Sequence, residues 1–451
     1  MDRTSAGCSR FCEATGRSFA VRVAIATLGC KVNQYDSAVF ERLFAERGWE
    51  RVDFSARADA YVVNTCTVTD RADAEARRLA RRARRTNPEA RVVMTGCYAQ
   101  VGAESLRRLA EVDYVVGLGR LEDLLAAIAG QLEGSVAVGN LRRENRITTF
   151  GLRSFPGRTR AFVKIQEGCD LFCTFCIVPL ARGPSRSVPP RQVIEEVERL
   201  GAAGHREVVL TGVHLGGYGR DLNPPTSLAE LLGMLAERRL DLRVRLSSID
   251  PPEVTGDLLA AARALEGFCD HFHVPIQAGD DRVLERMRRR YTVAEARAAF
   301  ERIRDTFPQA NIGTDVIAGF PGETPEEFAN TLAFLEQAAP GYLHVFPYSR
   351  RRSTAAAKRW QPLPERVVRG RAARLRALDR RLRRSFARRF VGKRLEVLIE
   401  RPSQEPDGPW RGHSRNYLEI EIVPRAGLHR GMLVQAQVVG ARGRRLAGVA
   451  L

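Results

Sequence analysis

The sequence predicts an α/β protein in three parts: an N-terminal open parallel sheet, a central β/α barrel and a small C-terminal all-β barrel. Two runs of strand–helix alternation follow one another along the 451 residues, and the segment after them contains only strand-like runs separated by turns. Hydrophobic residues make up 44% and charged residues 28% of the chain, an ordinary globular composition that excludes a disordered or collagen-like chain. A chain of this length is expected to form about two to four domains.

The first alternation covers residues 20–140 and predicts a small doubly wound sheet. Four runs rich in β-branched residues have the pattern of buried strands: 21–27, 60–64, 91–95 and 113–117. Residues 1–19 before them follow neither the helical nor the strand period, so we expect a disordered extension in which Cys8 and Cys12 have no role. Residues 141–160 are polar and predict a linker.

The second alternation covers residues 161–390 and predicts a partial or full barrel of parallel strands, whose chemistry lies at the carboxyl ends of the strands. Its six strand candidates are 161–165, 207–211, 243–248, 271–276, 311–317 and 342–348. An arginine-rich segment at 365–390 repeats apolar residues at helical spacing. Residues 391–451 have the pattern of a small all-β barrel, of the size used by oligonucleotide-binding domains.

The net positive charge of the chain favours a polyanionic partner. The net charge is +19, and residues 365–394 carry thirteen basic and two acidic side chains. This basic helix predicts contact with RNA through Arg380, Arg383 and Arg384, although a merely solvated helix face is the alternative. The sequence contains no run of about 18 uncharged apolar residues and no apolar region of a secretory signal, so we expect a soluble cytoplasmic protein.

Three of the nine cysteines lie in one short loop, as Cys169, Cys173 and Cys176. The loop begins just after the first predicted barrel strand. Three thiolates can hold three irons of a four-iron cluster and leave the fourth iron open to a ligand that is not protein. A structural zinc site needs four ligands, and no fourth Cys or His lies nearby in the sequence. The alternative is three unrelated core cysteines.

Three further cysteines are far apart in sequence but share one structural position. Cys30, Cys66 and Cys97 each follow a predicted strand of the N-terminal sheet at once. Because the carboxyl ends of parallel strands lie along one edge, we expect these cysteines to meet there. They would again supply three ligands and leave one iron open, whereas buried structural cysteines are the alternative.

The CxxxCxxC loop after the first strand of a β/α barrel resembles the radical S-adenosylmethionine (SAM) enzymes. In that superfamily the open iron chelates SAM, and one electron from the cluster cleaves SAM to a deoxyadenosyl radical that abstracts hydrogen from carbon. This resemblance implies a [4Fe-4S] cluster and SAM as cofactors, with Cys169, Cys173 and Cys176 as cluster ligands at the catalytic centre.

Further segments resemble the methylthiotransferases of that superfamily: GCKVNQYDS (29–37), NTCTVTDRA (64–72) and TGCYAQ (95–100). The likeness covers nearly the whole chain from Val21. It implies a flavodoxin-like N-terminal domain with a second [4Fe-4S] cluster, which supplies or carries sulfur. It also implies a radical SAM barrel and a C-terminal TRAM domain that helps to hold tRNA.

Three segments resemble the family branch that acts on threonylcarbamoyladenosine in tRNA: LTGVHLGGYG (210–219), RLSSIDPPEV (245–254) and FPYSRRRSTAA (346–356). This implies methylthiolation at carbon 2 of the modified adenosine beside the anticodon, with an electron donor such as flavodoxin or ferredoxin. Isopentenyladenosine in tRNA and a ribosomal-protein aspartate are the alternative substrates within the family. An RNA-binding protein with structural metal centres is the alternative from another class.

Glycine-rich turns after barrel strands allow the backbone to approach SAM, so Gly212, Gln277 and Gly319 are candidate cofactor contacts. A glycine at such a turn is also explained by the turn itself. Three histidines are better explained as hydrogen-bonded barrel residues than as ligands: His214, His271 and His273.

Overall fold

The computed structural model describes residues 20–143, 147, 151–155, 157–402, 408–443 and 445–451. The predicted extension at 1–19, with Cys8 and Cys12, therefore lies outside the described residues, as do parts of the predicted linker. Within the described part of the chain, no helix is both long and apolar enough to cross a membrane.

The N-terminal domain is a six-stranded parallel sheet with the order β2-β1-β3-β4-β5-β6. Its strands are β1 (Arg22–Thr27), β2 (Glu50–Val52), β3 (Ala60–Thr65), β4 (Arg91–Gly96), β5 (Tyr114–Val116) and β6 (Val136–Ala137). Its helices are α1 (Lys31–Glu46), α2 (Asp70–Thr86), α3 (Cys97–Arg107) and α4 (Leu121–Ala129). The sequence predicted four of these strands and missed the two edge strands, because three and two residues are too few to show a period.

Helices cover both faces of this sheet, as its continuously buried central strands require. Tyr61 and Val63 of β3 pack with α2 and α3 on one face. Val62 packs with Phe40 of α1 and with Leu124 of α4 on the other. The predicted doubly wound arrangement is confirmed, and β1, β3 and β4, which precede the three cysteines, are neighbours in the sheet.

The central domain is a partial barrel of six parallel strands in the order β7-β10-β11-β12-β13-β14, with isolated bridges joining β11 to the segment around β12. The barrel strands are β7 (Arg160–Lys164), β10 (Glu207–Thr211), β11 (Arg243–Leu246), β12 (His271–His273), β13 (Asn311–Ala318) and β14 (Tyr342–Pro347). A short antiparallel pair follows β7, formed by β8 (Gln166–Glu167) and β9 (Arg186–Ser187). The helices of this domain are α5 (Val178–Arg182), α6 (Pro190–Ala202), α7 (Leu228–Ala236), α8 (Gly256–Ala264), α9 (Asp281–Arg286), α10 (Val293–Thr306), α11 (Pro325–Ala338) and α12 (Ala355–Arg359).

Helix α1 joins the two domains through one continuous core. Tyr35, Ala38 and Val39 of this helix are buried in the same apolar cluster as Val163 of β7 and Ile165 beyond it. The N-terminal domain therefore docks against the first barrel strand through α1.

The C-terminal part begins with helix α13 (Glu365–Arg388), whose apolar stripe packs along β13 and β14. Five strands then close into a small barrel in the order β15-β16-β17-β19-β18. These strands are β15 (Arg394–Arg401), β16 (Trp410–Ser414), β17 (Glu419–Ile422), β18 (Leu433–Arg442) and β19 (Arg445–Ala450). The small barrel lies against the amino ends of the large-barrel strands, where Arg243 donates to Glu396 and Arg245 donates to the Arg415 carbonyl.

Candidate functional site

The structure brings Cys30, Cys66 and Cys97 together at one edge of the N-terminal sheet, which we call the N-terminal trio. The loop carrying Cys30 passes so close to Cys66 that a Cβ added at Gly29 would lie 2.9 Å from the Cys66 Sγ. Gly29 also has a φ of 92°, which a side chain rarely tolerates. A glycine before Cys30 is therefore required for the trio to form.

Burial disfavours the thiolate form of two cysteines of the N-terminal trio, Cys66 and Cys97. It raises the pKa of the Cys97 thiol to about 12, while the nearby Arg182 guanidinium opposes that rise and the Cys30 and Cys66 thiols add to it. Burial likewise raises the pKa of Cys66. Thiolates are the metal-binding form, so binding iron must release these protons.

Cys169, Cys173 and Cys176 lie between β8 and α5, in a loop that we call the barrel loop. The Cys169 amide donates to the Gly183 carbonyl at 3.1 Å, and the Cys176 amide donates to the Cys173 carbonyl at 3.0 Å. A side chain at Gly168 would place its Cβ 1.8 Å from the Pro184 carbonyl oxygen, so the loop requires this glycine. Burial raises the pKa of Cys169 to about 11 and that of Cys176 to about 12.

Neither trio has the spacing of a site for a single metal ion. Zinc–sulfur bonds of about 2.3 Å in a tetrahedron place the sulfurs about 3.8 Å apart. Among the described residues, the side-chain groups whose ligand atoms all lie within 4.8 Å of one another contain no cysteine. The sulfurs of each trio are therefore not all within 4.8 Å of one another, and a multi-iron cluster, whose cysteine sulfurs bind different irons, does not require them to be.

A cavity of about 390 Å³ lies beside the barrel loop and reaches Cys173. Its walls carry both signs of charge. Arg289 donates to the Cys173 Sγ at 3.3 Å and pairs with Asp250 at 2.6 Å, while the His214 Nε2 lies 2.5 Å from a Glu253 carboxylate oxygen. Carboxylates and a guanidinium in the lining of one cavity suit the ammonium and carboxylate groups of an amino-acid ligand, and the volume suits a small molecule.

Gln166 of β8 ties the barrel loop to the strand beside it. Its Oε1 accepts from the amides of Val213 and His214 at 2.9 and 2.8 Å, and its Nε2 donates to the Gly168 carbonyl at 2.8 Å. The side chain is fully buried. Sequence reasoning missed Gln166 and Arg289, because one glutamine or arginine within a regular pattern carries no local signal.

The three residues predicted to contact SAM do not line this cavity. A Cβ at Gly212 would lie 2.9 Å from the Gln166 side chain, and one at Gly319 would lie 2.8 Å from Val368 of α13. Close packing therefore explains both glycines without a ligand. Gln277 has a φ of 63°, and its amide donates to the Asp315 carbonyl at 2.9 Å. Their contact with SAM stays a prediction.

The predicted histidines separate into two groups. His271 and His273 lie inside the barrel and hydrogen-bond to the Tyr342 hydroxyl at 2.8 and 3.1 Å, and His273 also bonds to Asp315 at 2.8 Å. They are hydrogen-bonded barrel residues. His214 instead lies in the cavity wall.

The predicted RNA-contacting arginines also differ from one another. Arg380 and Arg384 are exposed on α13. Arg383 is half-buried, donates to Asp379 at 2.8 Å and lies 4.9 Å from the centre of the Tyr342 ring. Among contacts of the described residues, only those of Arg383 would have to break for these side chains to approach a phosphate.

Comparisons with known proteins agree with this geometry. The Radical SAM superfamily matches residues 163–335, and the uncharacterized protein family UPF0004 matches residues 22–117. The solved structure of the radical SAM methyltransferase TsrM from Kitasatospora setae matches with a TM-score of 0.55 at 17% identity, covering 75% of this chain and 77% of that one. This match shows the shared fold.

Several curated relatives match most of the chain. The threonylcarbamoyladenosine tRNA methylthiotransferase MtaB of Bacillus subtilis is 40% identical over 404 residues, which cover 88% of this chain and 89% of that protein. The Aquifex aeolicus protein of the same name is 41% identical, with coverage of 84% and 93%. A tRNA-2-methylthio-N(6)-dimethylallyladenosine synthase of Thermus thermophilus is 34% identical, with coverage of 94% and 92%.

The barrel has six parallel strands with a cysteine-rich loop at its mouth, and the Radical SAM superfamily matches most of it. These two features define the chain as a radical SAM enzyme. Within that superfamily, the chain belongs to the methylthiotransferase family. The resemblance drawn from the sequence and the predicted three-part fold are confirmed. Membership of the superfamily implies a SAM-binding [4Fe-4S] cluster, and the barrel loop offers three cysteine ligands for it.

Proposed function

We propose that the protein methylthiolates carbon 2 of threonylcarbamoyladenosine, the modified adenosine beside the anticodon of its tRNA substrate. The observation that carries this proposal is the pair of three-cysteine sites, one on each of two docked domains, combined with a charged cavity at the second. Relatives that carry this activity in their names share 40 and 41% of their residues with the chain over most of its length, which supports this substrate.

The two trios have separate roles in this proposal. The barrel loop would hold a cluster that can supply the electron for cleaving SAM, and the N-terminal trio would hold a cluster that can supply the sulfur of the product. The second cluster and its sulfur-carrying role are proposals, as is an electron donor of the flavodoxin or ferredoxin type. The site of action would be the cytoplasm, where tRNA is found.

Residues of this chain position the cofactor in that reaction. Arg289 would bind the carboxylate of SAM while Asp250 and Glu253 face its ammonium group, because the three charges line one cavity beside Cys173. Gln166 holds the barrel loop and the His214 turn in a fixed relation through its four buried hydrogen bonds to backbone groups. Such positioning reduces the reorganisation needed when the radical forms.

The substrate is tested by analysing the nucleosides of tRNA from a strain that lacks the protein. Loss of methylthio-threonylcarbamoyladenosine with retention of its unthiolated precursor is the expected result. Restoration by the parent gene, but not by a gene encoding Cys66→Ala, links the loss to the N-terminal trio. Loss of methylthio-isopentenyladenosine instead, or unchanged tRNA, would overturn the proposed substrate.

A further inference from the structure

Arg182 connects the barrel domain to the N-terminal trio. It ends α5, the helix that follows the barrel loop, and its side chain is 1% exposed. Its guanidinium donates to Glu167 of its own domain and to Asn33 and Asp36 of α1, the last at 2.9 Å. The arginine is therefore held in place from both domains.

The same guanidinium faces the cysteines of the N-terminal trio. The Asn33 Oδ1 that accepts from Arg182 lies 3.9 Å from the Cys97 Sγ, so one amide oxygen contacts both side chains. The charge of Arg182 also acts on the thiols of Cys66 and Cys97. A residue six positions after Cys176 of the barrel loop therefore contributes positive charge to the other cysteine site.

The Arg182 guanidinium already forms a hydrogen bond with the Cys97 thiol, but one of its donors lacks a partner of good geometry among the described residues. Among the described residues, its Nε–H is buried without a hydrogen-bond partner, while the other two guanidinium nitrogens are engaged. Buried donors are nearly always paired, so an unpaired one needs a cause. A cluster in the N-terminal trio would bring sulfide and thiolate sulfurs to this place, and both are anionic acceptors.

The carboxylates beside Arg182 are shared with a second cation. Lys164 lies 2.8 Å from Asp36 and 3.3 Å from Glu167, and all four side chains are nearly inaccessible to solvent. Two cations and two carboxylates therefore form one buried group. Removing a positive or a negative charge from this buried group therefore changes the electrostatic potential at the N-terminal trio, because water screens it little.

We propose that Arg182, although it belongs to the barrel domain, stabilises the reduced, more negative state of the N-terminal cluster through its positive charge. The inference rests on the proposed function, because it takes the N-terminal trio to bind a cluster. Reduction adds one electron, supplied by the proposed donor, and increases the negative charge beside the guanidinium. Loss of the positive charge should therefore lower the reduction potential, whereas loss of a neighbouring negative charge should raise it.

The experiment uses the full chain with Cys169, Cys173 and Cys176 all replaced by Ala, so that only the N-terminal cluster is reconstituted. Its reduction potential is measured by titration with dithionite, followed by electron paramagnetic resonance. In this background, Arg182→Gln should lower the potential and Asp36→Asn should raise it, each by at least a tenfold change in the reduction equilibrium, about 59 mV for one electron. Arg182→Lys retains the positive charge, so its reduction potential should stay closer to that of the parent.

Arg371→Gln is the matched control. Arg371 is also a buried, carboxylate-paired arginine, but its partner is Glu323 and it lies on α13. Its substitution should leave the potential unchanged. Circular dichroism melting of each metal-free variant separates loss of folding from a change in potential, and if Arg182→Gln does not fold, the direction of the Asp36→Asn shift decides.

Failure of the proposed N-terminal cluster and failure of the proposed role of Arg182 give different results. A background protein that binds no iron would overturn the proposed N-terminal cluster itself. A bound cluster whose potential is unchanged in Arg182→Gln, or a potential that falls in Asp36→Asn as well, would overturn only the role of Arg182. Shifts of opposite sign would support it, because a purely structural contact predicts the same direction for both variants.

Discussion

At the scale of single residues, the cysteines are the candidate cluster ligands, and other residues hold the loops that carry them. Gly29 and Gly168 let two loops approach within contact distance, and Gln166 and Arg289 hold the barrel loop. Cys269, by contrast, is a cysteine outside both sites. It is fully buried at the start of the β12 segment, close to Glu207, and belongs to neither trio.

Replacing one barrel cysteine should abolish radical formation. Cys173→Ala removes a cluster ligand and the acceptor of an Arg289 hydrogen bond, so the protein should release no deoxyadenosine from SAM under anaerobic reduction. Cys269→Ala is the matched control, since it removes a buried thiol outside the site and should keep the parental yield. The yield is measured by chromatography, and a normal yield from Cys173→Ala would contradict the assignment.

A buried ion pair inside the barrel predicts a specific dependence on pH. Burial alone would raise the pKa of Glu207, but Arg245, at 2.7 Å, outweighs it and holds the pKa at about 2. This pair should stabilise the fold fully above the unfolded pKa of about 4.3 and lose up to about 3 kcal/mol as the pH falls toward 2. Unfolding in urea between pH 6 and pH 3 should show about half of this loss.

The matched variant for that measurement is Glu207→Gln, which cannot ionise. It should be less stable near neutral pH, because Arg245 loses its charged partner, and the difference should shrink as the pH falls toward 2. Its free energy of unfolding should also fall less steeply with acid than that of the parent. Equal slopes would show that Glu207 does not contribute.

At the scale of elements, α13 has one apolar face and one basic face. Leu375, Leu378 and Leu382 are buried against the barrel, whereas Arg380 and Arg384 are exposed. The helix also explains a glycine that the sequence analysis assigned to SAM, because Gly319 lies against Val368. Only the packed neighbour, which is distant in sequence, reveals that role.

The basic face of α13 should contribute to tRNA binding. Replacing Arg380 and Arg384 together with Gln should weaken binding and reduce the slope of log affinity against log salt by about 1.4 to 1.8, if each arginine contacts one phosphate. Arg383→Gln is the control, because that side chain is already paired with Asp379. Affinity across a salt series is the measurement, and identical slopes for parent and double variant would show a solvated face.

The apolar face should instead contribute to stability. Leu375 is fully buried, so Leu375→Ala should cost about 2 to 5 kcal/mol of unfolding free energy and leave the salt slope of tRNA binding unchanged. Chemical denaturation measures the first quantity. A cost below about 1 kcal/mol would show that the helix is not packed as described.

At the scale of the whole molecule, the sequence was informative wherever the signal is local. The strands of both sheets, and the position of all six cysteines after strands, follow from short patterns and from the rule that carboxyl ends of parallel strands share an edge. The short edge strands β2 and β6 have too few residues for a pattern. Single-sequence reasoning therefore reached the fold, whereas the role of the six cysteines as cluster ligands stays a prediction.

The residues that connect the sites could not be found in this way. Arg182 and Asn33 are 149 residues apart in the chain, and Arg289 and Cys173 are 116 apart. Their contacts depend on how α1 docks against the barrel and how the loop after α9 folds back. The walls of the charged cavity, including Asp250 and Glu253, come from separate barrel turns for the same reason.

The central claim is that two three-cysteine sites on docked domains perform separate tasks, and Cys66→Ala tests it most directly. The measurement compares iron content, deoxyadenosine yield and methylthio product for this variant and the parent after the same anaerobic reconstitution. The account predicts about half the iron, continued cleavage of SAM and no methylthiolated tRNA, because only the barrel loop needs to contact SAM. A variant that retains all its iron and thiolates tRNA at the parental rate would contradict the account and show that the N-terminal trio is core packing.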